Sequence, residues 1–162
     1  MIRELYLDFI KDKVTNKELD WLFKRASQYL LTQISFLIGR PLCGPMLGTF
    51  VANYSCNYHC RMCDLPLKEE KIKQRGIKEL DTVELKRLLK DFTELGVSGI
   101  GFTGGEPLLR KDIFELLAYV KSLRVITHLN TNGFLLDVKN IEKILRVGVD
   151  SISISLDGST SA

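Results

Sequence analysis

From residue 47 onward the apolar positions switch repeatedly between two periods. Short apolar runs at residues 47–54, 97–103, 124–129 and 150–156 have strand character. Between them, apolar residues recur every three or four positions: Leu85, Leu88, Leu89, Phe92 and Leu95; then Ile113, Leu116, Leu117 and Val120; then Ile141, Ile144 and Leu145. Each set predicts an amphipathic helix. Asp81, with Glu84 three positions on, predicts a capping box at the start of the first helix. Gly96 and Gly148 are expected to stop the first and third. Residues 68–78 are charged and lack either period, so they read as a loop. Ahead of this region, residues 1–40 read as helical. Leu5, Phe9 and Ile10 give a short apolar face, and Thr15 with Glu18 resembles a second capping box. Leu19, Leu22, Phe23, Ala26, Tyr29, Leu30 and Gln33 then keep helical spacing until Gly39-Arg40-Pro41 breaks it. Two parts are therefore expected, a helical N-terminal extension over 1–45 and an α/β core over 46–162.

Strands that alternate with helices imply a parallel sheet with right-handed crossovers. In such sheets ligands gather at the carboxyl ends of the strands. Here those ends carry, in order, the cysteine cluster, Gly104-Gly105-Glu106-Pro107, Asn130-Thr131-Asn132-Gly133 and Ser155-Leu156-Asp157-Gly158. One site is located before any chemistry is named.

Charge adds little. With 23 Lys+Arg against 20 Asp+Glu the net charge is +3, too small to require nucleic acid as a partner. The 45% hydrophobic and 27% charged fractions are globular, which excludes disorder as a description of the whole. Residues 29–39 are apolar over only about half the ~20 residues a bilayer requires. They read as a helix packed on the main domain or on a partner subunit; a membrane-surface helix through residues 29–38, flanked by Lys24, Arg25 and Arg40, is the alternative. The first residues show no apolar signal-peptide run, making the cytoplasm the default compartment, where cysteines serve as ligands or nucleophiles more often than as disulfides.

Three of the four cysteines, Cys56, Cys60 and Cys63, lie within eight residues in C-x3-C-x2-C spacing directly after the first predicted strand. Thiolates so close together on a loop suit one soft metal centre. Structural zinc and ordinary ferredoxin clusters both want four ligands. Three thiolates leave a coordination position open, as catalytic sites do, although His59 inside the run would be a candidate fourth ligand.

Together with GGEP at 104–107, TNG at 131–133 and SISLDG at 153–158, this spacing resembles the radical S-adenosylmethionine (radical SAM) superfamily over about residues 48–158. The resemblance implies a partial parallel (β/α) barrel, of which about four of six βα units are present here. It implies that Cys56, Cys60 and Cys63 hold a [4Fe–4S] cluster whose fourth iron chelates S-adenosylmethionine. Reductive cleavage would then give a 5′-deoxyadenosyl radical that abstracts hydrogen from substrate. Gly104, Gly105 and Glu106 would bind the amino group of S-adenosylmethionine; a glycine turn ahead of a helix, with Pro107 in its first turn, is the plain structural reading. Met62 occupies the position whose backbone contacts adenine in the family. Ser153, Ser155 and Asp157 match the region that binds the ribose and carboxylate.

Alternation puts Ser151, Ser153, Ser155 and Asp157 on one strand face. For Ser151 and Ser153, bonding to neighbouring strands competes with facing a cavity. Asn130 and Asn132 would face substrate or form the turn. His59 reads as an exposed loop residue, His128 as a satisfied core histidine, and Cys43 as an ordinary reduced thiol. An electron donor such as flavodoxin or ferredoxin is the implied partner. Against six units in the family core, four strands and no second cysteine cluster suggest the N-terminal part of a longer enzyme. A non-catalytic iron–sulfur or zinc-binding module retaining the cysteine loop is the competing reading.

Overall fold

Four strands, β1 (Leu47–Asn53), β2 (Gly99–Gly104), β3 (Ile126–Thr131) and β4 (Ser151–Ile154), form one sheet in the order β1-β2-β3-β4, every pair parallel. The computed structural model describes residues 11, 14–15 and 19–156. The chain divides into two compact units, Met1–Gly44 and Pro45–Ala162.

The sequential order is informative. Right-handed crossovers between neighbouring parallel strands place every connecting helix on the same side of the sheet. That is the winding of a barrel wall; a doubly wound sheet reverses its order and carries helices on both sides. Burial follows the same division. Phe50, Ala52, Ile100, Phe102 and Leu129 are buried with Leu85, Leu89, Ile113, Leu116, Leu117, Val120 and Ile144 of the helices. These helices are α3 (Thr82–Glu94), α4 (Ile113–Ser122) and α5 (Val138–Val147). Phe50 anchors the core with its ring edge-on to Phe92 at 4.9 Å. The other face of the sheet carries Thr49, Val51, Gly101, Thr103, His128, Asn130, Ser151 and Ser153, alternating with the buried set.

The expected start and stop signals act as anticipated for the core helices. Asp81 accepts from the Val83 and Glu84 amides, while Glu84 accepts from the Asp81 amide at 2.9 Å, closing the capping box. Gly148 ends α5 in the left-handed conformation, φ 75°. Two expectations are corrected. Of residues 68–78, expected as a loop, 68–74 belong to helix α2 (Leu65–Gln74), which has proline in its first turn and Lys68–Asp64 and Lys73–Glu69 ion pairs at i,i+4 spacing; only 75–78 are irregular. The helix escaped detection because its charge-rich sequence has no apolar stripe to count. Thr15 is no N-cap: it is itself helical, and its hydroxyl donates to the Lys11 carbonyl at 2.8 Å. The proposed apolar face of Leu5, Phe9 and Ile10 lies outside the described residues.

In the first unit, helix α1 (Leu19–Ile38) exposes Phe36, Leu37, Leu30 and Tyr29. No described helix is long and apolar enough to cross a membrane. Cys43 in this unit is half-buried and meets the Thr32 hydroxyl at 3.3 Å.

Candidate functional site

The strand ends are joined through close backbone approach. Gly105 N–H donates to the Asn53 carbonyl at 3.0 Å and Glu106 N–H to the Ser55 carbonyl at 2.9 Å, so the GGE segment lies along the start of the cysteine loop. Both glycines are demanded by that approach. A Cβ on Gly104, at φ 131°, would stand 2.3 Å from the Asn53 oxygen, and one on Gly105 would stand 2.0 Å from the Ser55 oxygen.

Glu106 is fully buried. Its Oε1 accepts from the Thr131 hydroxyl at 2.8 Å and the Leu108 amide at 3.1 Å; its Oε2 accepts from the Asn132 amide at 2.8 Å. Asn53 Nδ2 donates to the Glu106 carbonyl at 3.0 Å. A buried carboxylate is tolerated because donors surround it. It acts as the clamp that joins the end of β2 to the end of β3.

From Asn132 the network reaches the cysteines. Its Nδ2 donates to Asn57 Oδ1 at 2.8 Å and lies 3.9 Å from Cys56 Sγ. The Tyr58 amide is 3.4 Å from the same sulfur, and the Tyr58 ring stacks edge-on with Phe134 at 5.7 Å. Cys56 is half-buried, Cys60 and Cys63 are exposed, and all three are free thiols. Among the described residues no three His, Cys, Asp or Glu side chains are gathered closely enough to hold a metal ion. The three thiols therefore share a loop without a preformed ligand cage, and a metal centre common to all three would require that loop to close. The donor chemistry fits a soft iron–sulfur centre. So does a buried polar atom with no partner, Asn57 Nδ2, adjacent in sequence to Cys56.

The rest of the loop is tied back to the sheet. Ser55 donates to Glu69 at 2.9 Å, and Lys73 together with that hydroxyl holds the Glu69 carboxyl below its ordinary pKa. The Tyr54 amide, at the end of β1, donates to Glu79 at 2.9 Å. Arg110 reaches the carbonyls of Ala52 (2.8 Å) and Leu80 (2.9 Å) and pairs with Asp112 (2.7 Å). Burial raises the Asp112 carboxyl, but Arg110 and the Thr82 hydroxyl outweigh it and hold the pKa below its ordinary value. A cleft of about 240 Å³ borders the end of β1, lined by Val51, Tyr54, Glu79 and Arg110 among others; no cysteine lines it.

The remaining anticipated residues are more scattered. Ser153 pairs in register with Asn130, on the face of the sheet that also bears His128 and Ser151. His128 Nδ1 meets Ser151 Oγ at 2.6 Å and its Nε2 meets Asn130 Oδ1 at 3.2 Å, so the histidine is satisfied, on the face away from the helices. The Ser155 amide donates to the Thr131 carbonyl at 3.0 Å. Met62 and His59 are exposed. Asp157 lies outside the described residues. Asn53, Asn57 and Arg110 were not singled out from the sequence. The available signal was position alone, beside the first cysteine or just past GGEP.

Known proteins share sequence and fold with this chain. A PqqA peptide cyclase from Gluconobacter oxydans is 38% identical over 103 residues, 64% of this chain and 28% of its own. An AdoMet-dependent heme synthase from Oleidesulfovibrio alaskensis is 42% identical over 80 residues, 49% of this chain and 21% of its own. The chain thus spans about a quarter of the length of these relatives. Among solved structures, BtrN in complex with AdoMet and 2-DOIA superposes with a TM-score of 0.58 at 23% identity, over 70% of this chain and 47% of that one. That likeness shows the fold. The Radical SAM superfamily matches residues 50–162, which hold the sheet, the cysteine loop and the GGE clamp, and the chain belongs to that superfamily.

Proposed function

We propose that this chain is the cofactor-binding part of a radical SAM enzyme, with Cys56, Cys60 and Cys63 holding a [4Fe–4S] cluster that binds S-adenosylmethionine. When bound, the pair supplies one-electron reductive cleavage to methionine and a 5′-deoxyadenosyl radical that abstracts hydrogen from substrate. The observation that carries this reading is the clamp: Glu106 and Asn132 join the GGE and TNG strand ends to the loop bearing three free thiols.

The chain's own residues then divide the work. The cysteines ligate. Gly104 and Gly105 allow the backbone to approach a ligand as closely as it approaches β1. Because the Glu106 carboxylate is committed to Thr131, Leu108 and Asn132, the backbone of this segment is what remains to meet the ammonium of S-adenosylmethionine. The Met62 backbone serves adenine, and Ser153, Ser155 and Asp157 serve the ribose and carboxylate. An external one-electron donor of the flavodoxin or ferredoxin kind completes the reaction. The relatives' names, a peptide cyclase and a heme synthase, differ in substrate, although each matches about half of this chain or more. The matched part accordingly carries the common radical-generating chemistry, and substrate choice belongs elsewhere in the protein.

Anaerobic reconstitution with iron and sulfide tests the reading. The expected result is a cluster whose electron paramagnetic resonance signal S-adenosylmethionine perturbs, with 5′-deoxyadenosine released under a strong reductant. Cys60→Ala should abolish the signal. Tight zinc binding with no response to S-adenosylmethionine would instead establish a metal-binding module.

A further inference from the structure

The Asn57–Asn132 amide pair beside Cys56 is oriented more tightly than a turn requires. The Asn132 amide N–H is fixed by Glu106 Oε2 (2.8 Å), and its side-chain Oδ1 accepts from the Phe134 amide at 3.0 Å. That second bond settles which end of the amide faces the loop: the NH2 group points at Asn57 Oδ1 (2.8 Å) and at Cys56 Sγ (3.9 Å). With its Oδ1 so occupied, Asn57 is left with a buried Nδ2 that has no partner. A buried donor without an acceptor is costly, so this point calls for an acceptor. The Tyr58 amide adds a further N–H at 3.4 Å from Cys56 Sγ. No side-chain donor to Cys60 or Cys63 is found among the described residues, and both are exposed.

Resting on the cluster reading above, we infer that Asn57 and Asn132 are positioning residues that set the reduction potential of the cluster through N–H donors to sulfur at its Cys56 corner. Asn132 serves the Cys56 thiolate, and Asn57 Nδ2 serves a sulfur of the bound cluster. Reduction adds negative charge to the sulfurs. Donors aimed at them stabilise the reduced state and raise the potential. Removing one donor to a charged acceptor should disfavour reduction about tenfold, which for one electron is about 59 mV in the negative direction.

The test is a redox titration of the reconstituted full chain, followed by electron paramagnetic resonance without S-adenosylmethionine, comparing the parent with Asn57→Leu, Asn132→Leu and Phe134→Leu. The leucines remove the donors while keeping side-chain bulk. Phe134→Leu removes the ring that packs on Tyr58 but leaves the amide that orients Asn132. The expected result is a negative shift in both asparagine variants and an unchanged potential in Phe134→Leu. Potentials equal to the parent in the asparagine variants would overturn the inference, as would an equal shift in Phe134→Leu, which would mark a merely structural effect. An Asn57→Leu shift seen only after adding S-adenosylmethionine would assign that donor to the cosubstrate and overturn its placement on the cluster. Should Asn132→Leu assemble no cluster, Asn57→Leu carries the same test. A parent chain that assembles none would sink the functional reading itself, a separate result.

Discussion

A methyl group on Gly105 would have to enter the space of the Ser55 carbonyl oxygen and, at 3.0 Å, that of Tyr54. Both are backbone atoms just past the end of β1, so the clash cannot be relieved by rotating a side chain. Gly105→Ala should therefore cost about 3 kcal/mol by urea denaturation, and reconstitution of the cluster should fail even under conditions where the variant folds. A cost below about 1 kcal/mol would mean that the two segments separate freely. The glycine pair was legible in the sequence as a motif. Its reason was not, because the oxygen that forbids a Cβ belongs to a residue fifty positions away. Glu106 teaches the same lesson with opposite sign: the sequence suggests a carboxylate available to a ligand, and the structure spends it on three donors of the chain. Glu106→Gln preserves the shape but sets an NH2 group against the Asn132 amide or the Leu108 amide, neither of which can accept. It should cost about 2 kcal/mol, and Glu106→Ala, which orphans all three donors, about 4 kcal/mol. Equal costs, measured by thermal denaturation, would show that the clamp is not made of these bonds.

At the scale of elements, the helices with apolar stripes, α3, α4 and α5, were legible, as were their caps. Strand ends moved by one or two residues: β3 runs to Thr131, not Leu129, because Thr131 and Asn132 are held by Glu106 across the sheet. Helix α2 was hidden because its charge-rich sequence offers no apolar stripe to count. Asp112 shows how neighbouring elements are coupled. Sitting at the start of α4, it holds Thr82 at the start of α3 and Arg110, which in turn holds the end of β1. Its carboxyl is depressed in the folded protein despite burial. A depressed acid stabilises the fold above the unfolded value of about 3.9 and loses that contribution as pH falls through the lower, folded value. Stability should thus decline below about pH 4, and Asp112→Asn should remove part of that dependence while lowering stability at neutral pH by about 2 kcal/mol. Denaturation midpoints across pH 2–7 measure both. A variant whose acid limb matches the parent's would place the pH dependence on other carboxylates.

For the whole molecule, the alternation of periods implied a parallel sheet, but its winding became visible only in the strand order, which puts all the core helices on one side and the polar residues of the strand ends on a common rim. That rim meets the cysteine loop, and the segment from this loop through α2 is fastened near its beginning by Asn132 and beyond the end of α2 by Glu79 and Arg110. Between those fastenings Cys60 and Cys63 are exposed, as is Arg61. A cluster bound by all three thiolates would close this span from within and, by binding only the folded chain, would stabilise the protein by RT ln(1 + [L]/Kd), about 2.7 kcal/mol at a hundredfold excess over Kd. Two consequences can be separated. The melting temperature should rise on reconstitution and return to the apoprotein value when the cluster is removed by oxidation and chelation. Tryptic cleavage after Arg61, which lies between two ligands, should slow sharply on loading. Cleavage after Arg75, beyond the end of α2 and outside the ligand span, should change little. The two sites share solvent exposure and differ in whether the cluster brackets them. Protection of both alike would therefore point to global stabilisation without closure of the loop, and protection of neither would show that the three cysteines do not act together on one centre.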